Sequence, residues 1–254
     1  MIITVLPDVT VLFLLLFARL GALVMLLPAL GEQAIPTRVR LSFALMLTLV
    51  FYPLVSGTLP QGLADDTAAL LVAMISELLI GLAFGLIARM LLSATQVAGA
   101  SIASNIGLGF AQTVDPTMGQ QGAIIGSFLA VTGMTMIFAT NLHHVAIAGI
   151  AESYAMFPPG GALPLADLRD AAIMTVAESF KIGIQISAPF IVFGLVFNLG
   201  LGVLAKLMPQ LQVFFLAMPV SIFVGLVLFA FLIGTIMTWY LNHVQAGLMR
   251  MVGS

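Results

Sequence analysis

Charged side chains set inside long apolar runs are the residues of this sequence best placed to do chemistry. Glu178 and Lys181 are three positions apart, so on a helix they share one face and can form an ion pair. Four more charged residues lie in or beside apolar runs: Arg19, Glu77, Arg89 and Lys206. Charges in such surroundings are costly, and they mark either a functional site or a buried pair.

Two interpretations of these charges compete. A proton or ion relay would use Glu77, Glu152 and Glu178, with His143 and His144 as further carriers. A structural interpretation instead pairs the charges across contacts between helices or subunits. We favour pairing, because no pair of acidic residues recurs at equivalent places in two halves of the chain, as it would in a coupled transporter built from repeats.

The sequence carries no catalytic or metal-binding motif. It has no Walker-type loop, no G-x-S-x-G, no H-E-x-x-H and no cysteine. His143 and His144 are adjacent and would point about 100° apart on a helix, which makes a shared metal ion unfavourable. We therefore expect no enzymatic activity, no metal and no cofactor. Because no basic patch is present, we also expect no nucleic-acid partner.

Composition predicts an all-α integral membrane protein. Of the 254 residues, 61% are hydrophobic and only 7% are charged, whereas a soluble domain carries roughly a quarter charged residues. The polar surface is too small to cover a water-soluble globule of this size. The first basic residue is Arg19, so the start lacks the basic region of a cleaved secretory signal, and we expect the N-terminus to be retained.

About six long apolar helices are expected, folded into kinked hairpins. The apolar runs fall near 9–30, 39–56, 67–98, 122–150, 170–205 and 211–241, and a bilayer needs roughly 20 residues of helix. Acidic residues at Asp8, Asp66 and Asp167 are expected to cap helix starts. Pro209 and Pro219 are expected to break the last stretch.

Two glycine patterns suggest close helix packing and a weak internal repeat. Gly81 with Gly85, and Gly122 with Gly126, are spaced so that helix backbones can approach closely. The stretches Asn105–Gly109 and Asn198–Gly202 have nearly the same sequence, and each precedes a turn that contains proline. The repeat predicts two helical hairpins of similar build, although chance would also explain it in a chain rich in Gly and Leu.

Residues 105–122, NIGLGFAQTVDPTMGQQG, form an internal stretch that is not a continuous apolar run and has Asp115 as its single charged residue. Its four glycines and the Asp115-Pro116 pair break helices and permit turns. Irregular backbone in a membrane protein must lie in water, in protein or along a wet cavity. We interpret the stretch as the functional element of a pore, and the alternative is an ordinary aqueous loop between two spans.

Two segments resemble the FliR family of flagellar biosynthetic proteins in bacterial type III export. GLGFAQTVDPT at 107–117 resembles the family's G-x-x-[FA]-x-x-x-V-D-P segment. PQLQVFFLAMPVSIFVG at 209–225 resembles its PQ-x-x-V-F-F-x-x-x-P-x-x-I segment. The length, the apolar runs and the acidic linker near 57–66 agree along nearly the whole chain.

The resemblance implies one subunit of an export gate. Residues 1–170 would form a FliP-like helical part that includes the pore loop 105–122, and residues 171–254 a FliQ-like C-terminal hairpin, within one integrated unit. One copy would assemble with several copies of FliP and FliQ, with FlhB at the entrance. The gate would sit in the flagellar basal body at the bacterial inner membrane, raised toward the periplasm, and would pass unfolded export substrates.

The resemblance also implies roles for particular residues. Loop 106–122 would be a plug in the pore, with the family pattern carried by Gly107, Leu108, Gly109, Phe110, Ala111, Gln112, Thr113, Val114, Asp115, Pro116 and Thr117. The FliQ-like turn would be formed by Pro209, Gln210, Phe214, Phe215 and Pro219. The charged residues predicted to serve buried pairing or assembly are Glu77, Arg89, Glu178, Lys181 and Lys206.

Two other functions remain open at this point. The same family includes export gate subunits of virulence injectisomes, and the V-D-P turn favours the flagellar system. An ion-coupled secondary transporter that uses Glu77 and Glu178 would also have an apolar, charge-poor sequence. Neutralising these acids would abolish solute uptake by such a transporter and leave protein export unaffected.

Overall fold

The computed structural model describes residues 2–27, 35–57, 63, 65–108, 121–161, 165–209 and 213–251. In these residues the regular secondary structure is helical throughout, which confirms the all-α fold class. The helices are α1 (Ile2–Leu26), α2 (Thr37–Val55), α3 (Thr67–Asn105), α4 (Gln121–Ala139), α5 (Leu142–Met156), α6 (Leu165–Leu207) and α7 (Val213–Met251).

Five of these helices are long and apolar enough to cross a membrane, within the described part of the chain. They are α1, α2, α3, α6 and α7, and the pair α4 and α5 would make a sixth span if it is counted as one bent segment. This agrees with the expected six apolar runs. The run at 122–150 is not one helix, however, because the chain breaks at Asn141 with a φ of 60°. Asparagine is one of the few residues that accept this left-handed conformation readily.

Helix ends agree with the sequence in part. The Asp66 carboxylate accepts hydrogen bonds from the N–H groups of Ala68 and Ala69 at 2.9 and 3.2 Å, as a helix cap does. Asp167 lies in the first turn of α6. The prediction that Asp8 caps a helix start is wrong, because α1 already begins at Ile2 and Asp8 lies inside it.

Proline does not end the last helix. Pro209 lies between α6 and α7, as a turn proline should, but Pro219 lies inside the continuous helix α7. Pro189 has the same position inside α6. Each removes one backbone donor from the helix, and the long apolar flanks on both sides keep the helix going.

The chain divides into two compact units that do not follow chain order. The first comprises residues 1–91, 141–176 and 245–254, and the second comprises 92–140 and 177–244. The division into a FliP-like and a FliQ-like part stays a prediction, because packing within one chain does not test a resemblance between proteins.

The first unit is built on one face of α1. Leu12, Leu16, Leu20 and Leu23 repeat at helical spacing and are buried against aromatic and aliphatic residues of α2, α3 and α5. A Cβ atom at Gly81 would overlap the carbonyl of Arg19, and one at Gly85 would lie 2.7 Å from the Cβ of Leu26. The predicted close packing at Gly81 and Gly85 is therefore confirmed as the contact between α1 and α3.

The second unit is held by glycine contacts and aromatic rings. A Cβ atom at Gly99 of α3 would overlap the backbone of Gly126 of α4, so these two helices touch backbone to backbone. Phe229 of α7 packs its ring 6.1 Å from that of Phe190 and 6.0 Å from that of Phe128. Such ring separations are typical of favourable aromatic pairs.

The predicted repeat does not give two similar hairpin tips. Helix α3 ends at Asn105, and the chain leaves helical geometry at Gly107, which has a φ of 93°. The equivalent stretch at Asn198 lies inside α6, which runs on to Leu207. The likeness of the two segments is therefore one of sequence, with different conformations.

Candidate functional site

The chain enters the predicted plug through a glycine turn at the end of α3. The Ile106 N–H still donates to the Ile102 carbonyl at 3.0 Å, but the Gly107 N–H shifts to the Ser104 carbonyl at 3.3 Å. The φ of Gly107, 93°, lies in the left-handed region that glycine accepts without a steric penalty. A left-handed glycine directly after the last helical turn is a common way to end a helix.

Most of the predicted plug lies outside the described residues. Gly107 and Leu108 are described, and both are half-buried. The remaining predicted plug residues, Gly109, Phe110, Ala111, Gln112, Thr113, Val114, Asp115, Pro116 and Thr117, fall in the stretch 109–120 that is not described. The plug assignment stays a prediction.

The predicted FliQ-like turn is described at its two flanks. Pro209 is exposed and lies two residues after the end of α6, and Phe215 is 67% exposed near the start of α7. Pro219 lies one turn further into α7. Gln210 lies outside the described residues, as does the side chain of Phe214. The resemblance of this turn to FliQ also stays a prediction.

A buried charge cluster lies at the centre of the first unit. Arg19 of α1 and Glu77 of α3 are each 1% exposed, and their side chains form a two-pronged ion pair. The guanidinium Nε donates to Glu77 Oε2 at 2.6 Å, and Nη2 donates to Oε1 at 2.9 Å. Two parallel, charge-assisted hydrogen bonds of this kind fix orientation as well as sign.

The same guanidinium also ties down the end of α5. Nη1 donates to the Ser153 carbonyl at 3.0 Å, and Nη2 donates to the Phe157 carbonyl at 2.7 Å. The Ser153 carbonyl also accepts the Phe157 N–H at 2.9 Å. The Phe157 carbonyl lies past the end of α5, where a carbonyl needs a donor from outside the helix, and Arg19 supplies it. The Tyr154 ring covers the cation, with its centroid 4.2 Å from the guanidinium carbon. One arginine thus joins α1, α3 and the end of α5.

The sequence marks Glu77 and Arg19 as charges in apolar runs, but it does not show that they pair. Arg19 is the single basic residue of the first apolar run, and Glu77 is the single acidic residue of the third. Lone opposite charges in two apolar helices are a signal for a buried pair, because neither can stay unpaired in such surroundings. Arg89 is excluded as the partner by spacing, because it lies about 18 Å from Glu77 along the same helix. The identification of Arg19 required the packing of α1 against α3.

The other predicted charges lie nearer the surface of the single chain. Glu178 is half-buried, whereas Arg89, Lys181 and Lys206 are exposed. Lys206 stands in the last turn of α6, where a cation suits the negative end of the helix dipole. Roles in assembly for these four residues stay predictions, since a single chain does not test contacts with partners.

The histidines stack without forming a metal site. The rings of His143 and His144 have centroids 4.2 Å apart and an interplanar angle of 49°. Throughout the described segments, no group of three or more His, Cys, Asp or Glu residues is placed to hold a metal ion. The chemistry that this arrangement offers is ion pairing and helix anchoring.

The fold and this buried pair define a class: a polytopic, all-α membrane protein in which a buried ion pair joins two helices. Comparison with known proteins is more specific. The family model of bacterial export proteins, family 1, matches residues 10–247. The chain belongs to this family, which is the FliR family of bacterial export.

The curated relatives agree over most of their length. The flagellar biosynthetic protein FliR of Caulobacter vibrioides is 44% identical over 89% of this chain and 90% of its own. The protein of the same name from Bacillus subtilis is 32% identical over 85% of this chain and 83% of its own. The Yop proteins translocation protein T of Yersinia pestis is 24% identical over 82% of this chain and 80% of its own. The chain is therefore a membrane component of bacterial export of the flagellar and type III secretion kind.

Proposed function

We propose that this chain is the FliR-type subunit of a flagellar type III export gate, and that it has no enzymatic activity. The observation that carries the proposal is the family match over residues 10–247. Relatives named for the flagellum reach 44% identity, whereas the translocation protein T of the Yersinia secretion system reaches 24%. This difference favours the flagellar system over an injectisome.

The lengths of the helices support a place in a larger assembly. Helix α6 has 43 residues, which at 1.5 Å per residue is about 64 Å of helix. The hydrocarbon core of a bilayer is only about 30 Å thick. Apolar residues of α6 are nevertheless exposed on both sides of Pro189, among them Ile173, Phe180, Leu195 and Leu199. Lipid can cover only part of this length, so other subunits are needed to cover the rest.

The proposed neighbours follow from the family. One copy of this chain would assemble with several copies of FliP and FliQ, and FlhB would pack at the entrance. The gate would sit in the basal body at the inner membrane, with part of its apolar helices above the membrane plane and toward the periplasm. Unfolded flagellar proteins would pass through its pore.

Within this gate, the predicted loop 106–122, whose last two residues belong to α4, would act as the plug. The loop begins at the glycine turn of Gly107, and its sequence offers Phe110 as an apolar stopper among small and polar residues. An unfolded substrate could displace such a loop more cheaply than a packed helix, because few buried contacts would be lost.

The first experiment is co-expression with FliP and FliQ from the same genome, followed by mass measurement of the solubilised product. The expected result is a discrete hetero-oligomer that contains one copy of this chain, and omission of FliQ serves as the control. A chain that purifies alone in the presence of both partners would overturn the proposal. Deletion of the gene should abolish motility, and the intact gene should restore it.

The plug has its own test. Deletion of Phe110–Pro116 should leave the complex assembled and make membrane vesicles leaky to ions. Replacement of the same seven residues by a Gly-Ser linker separates loop length from the apolar stopper. Unchanged conductance in the deletion would contradict the plug while leaving the gate subunit intact.

The transporter alternative has less support. Its central acid, Glu77, has both carboxylate oxygens bound by one guanidinium and is 1% exposed. A coupling acid must exchange protons or ions with water during the cycle, and this carboxylate is held by a structural partner instead. Loss of solute uptake on neutralising Glu178, with export unaffected, would revive the alternative.

A further inference from the structure

A hydroxyl group from α7 donates a hydrogen bond at the end of α3. Ile106 follows the last residue of α3, and its side chain is fully buried. A carbonyl at this position lies past the last helical hydrogen bond and needs a donor from elsewhere. The Ser221 hydroxyl supplies it, and it donates to the Ile106 carbonyl at 3.1 Å from a position 115 residues further along the chain.

A glycine one turn after Ser221 leaves room for the Ile106 side chain. A Cβ atom at Gly225 would lie 2.5 Å from Cγ2 and 2.6 Å from Cβ of Ile106, closer than real Cβ atoms come. Ser221 and Gly225 are four positions apart and lie on one face of α7. This face therefore offers a donor for the carbonyl and a gap for the side chain of the same residue.

Helix α6 packs equally closely against Asn105, the residue before Ile106. A Cβ atom at Gly194 would lie 2.8 Å from the amide oxygen and 3.0 Å from the carbonyl oxygen of Asn105. The Asn105 side chain is itself fixed, since its amide nitrogen donates to the Ser101 carbonyl at 2.8 Å. Backbone from α6 thus packs directly on the last residue of α3.

We propose that Ser221 and Gly225 of α7, together with Gly194 of α6, form a socket that fixes Asn105–Gly107. The socket sets the point and the direction from which the chain leaves α3. Its functional meaning rests on the proposed plug, because the plug would start at the turn that the socket holds. In this view Ser221, Gly225 and Gly194 are positioning residues for the plug, and they lie far from it in sequence.

The socket makes a direct prediction about the accessibility of Leu108. The chain has no cysteine, so a single Leu108→Cys substitution reports on this position by its reaction with a water-soluble maleimide. Adding Ser221→Ala removes one neutral hydrogen bond, which should raise the labelling rate about five-fold. Gly225→Ala should raise it further, because its methyl group displaces Ile106. The measurement uses the full chain in its assembled complex.

Two substitutions serve as matched controls. Ser187 is a fully buried serine of α6 whose hydroxyl donates to the Ile184 carbonyl of its own helix at 3.0 Å. A methyl group added at Gly234 of α7 would enter open space, with no neighbouring atom within 4 Å. Ser187→Ala and Gly234→Ala should leave the labelling rate at the level of the Leu108→Cys parent. Ser221→Ala and Gly225→Ala at that same level would overturn the socket.

Ion flux links the socket to the plug. Ser221→Ala and Gly225→Ala, in the chain without the added cysteine, should raise ion flux through vesicles while the complex still assembles. Adding Ile106→Ala to Gly225→Ala should lower the flux again, because the smaller side chain relieves the overlap; a purely additive effect would contradict the socket. Raised labelling with unchanged flux would refute a positioning role.

The plug and the socket can fail separately. Deletion of Phe110–Pro116 in the same vesicles decides whether the loop seals the pore. Labelling at Leu108→Cys decides whether the socket holds the end of α3, whatever that deletion does. A leaky deletion beside Ser221→Ala and Gly225→Ala variants with unchanged ion flux would support the plug and refute the positioning role of the socket.

Discussion

At the scale of single residues, Gly107 is required for its backbone conformation, because there is room for a Cβ atom at this position. Its φ of 93° lies in the left-handed region, whereas a Cβ atom there would meet the Ser221 hydroxyl oxygen only at 3.7 Å, an ordinary contact. An L-residue in this region costs about 1–2 kcal/mol, and asparagine pays less than alanine. Gly107→Ala should therefore lower the melting temperature of the solubilised complex more than Gly107→Asn does. Equal effects of the two would contradict this account.

The Arg19–Glu77 pair gives a second prediction at this scale. Removal of one member of a buried pair leaves an uncompensated charge and costs about 3–5 kcal/mol. Glu77→Gln alone should therefore reduce the yield of folded chain sharply. The double variant Arg19→Met with Glu77→Leu should recover most of that yield, since apolar replacement of a whole buried pair is often neutral. The Phe157 carbonyl loses its donor in the double variant, so recovery stops short of complete.

A surface pair controls for the effect of charge alone. Arg169 and Asp170 form an ion pair at 2.8 Å with side chains 67% and 61% exposed. Exposed pairs contribute about 0–1 kcal/mol, so Arg169→Met should leave the yield unchanged.

Motility of cells that carry the Arg19→Met, Glu77→Leu double variant then separates a structural role of the buried pair from a functional one. Motile cells agree with structural pairing, and a well-folded but inactive double variant would contradict it.

At this scale the sequence predicts that Glu77 needs a cationic partner, but it does not predict which residue that partner is. A lone Glu77 in an apolar helix requires a cation, and this requirement is visible in the sequence. The partner comes from α1, 58 residues away, and depends on which helices pack together. Local spacing pointed instead to Glu178 with Lys181, where Glu178 is half-buried and Lys181 is exposed. The missing information is the tertiary packing, because hydrophobic periodicity does not show which helices are neighbours.

At the scale of elements, backbone contact between helices sets the tolerance to substitution. Gly99 packs against the backbone of Gly126, which cannot move aside as a flexible side chain would. Gly99→Ala should destabilise the solubilised chain, with a lower melting temperature. Gly200→Ala has open space and gains up to about 1 kcal/mol of helix propensity, so it should be neutral or stabilising. A melting temperature unchanged by Gly99→Ala would refute the close contact between α3 and α4.

Element boundaries show where sequence patterns are informative and where they are not. Apolar runs located α2, α3 and α6 well, because length and composition decide such helices in a membrane. The break at Asn141 has no proline or glycine to announce it, and a single asparagine in a polar interruption is a weak signal. The prediction that Pro219 ends a helix is wrong, since proline removes only one backbone donor and α7 continues through it.

At the scale of the whole molecule, the long helices expose apolar side chains over a greater length than a bilayer can cover. Besides α6, helix α7 has 39 residues, or about 58 Å of helix. Its exposed side chains include Phe215, Phe223 and Phe231. Large exposed apolar areas beyond the reach of lipid indicate protein contacts. Sequence composition predicted membrane residence, but it did not distinguish lipid contact from partner contact, because both favour the same side chains.

The absence of cysteine allows that distinction to be measured along α6. Single cysteines at Ile173, Val192 and Leu199, all exposed in the single chain, would be probed with a membrane-impermeant maleimide. In the chain expressed alone, only a window of roughly 20 residues can be shielded by lipid, so at least one of the three positions should react. In the assembled complex all three should be protected. Ser56→Cys, at an exposed position after α2, is the control that should react in both cases. The same labelling pattern with and without partners would mean that no partner covers these positions, which would contradict a surrounding gate inferred from helix length.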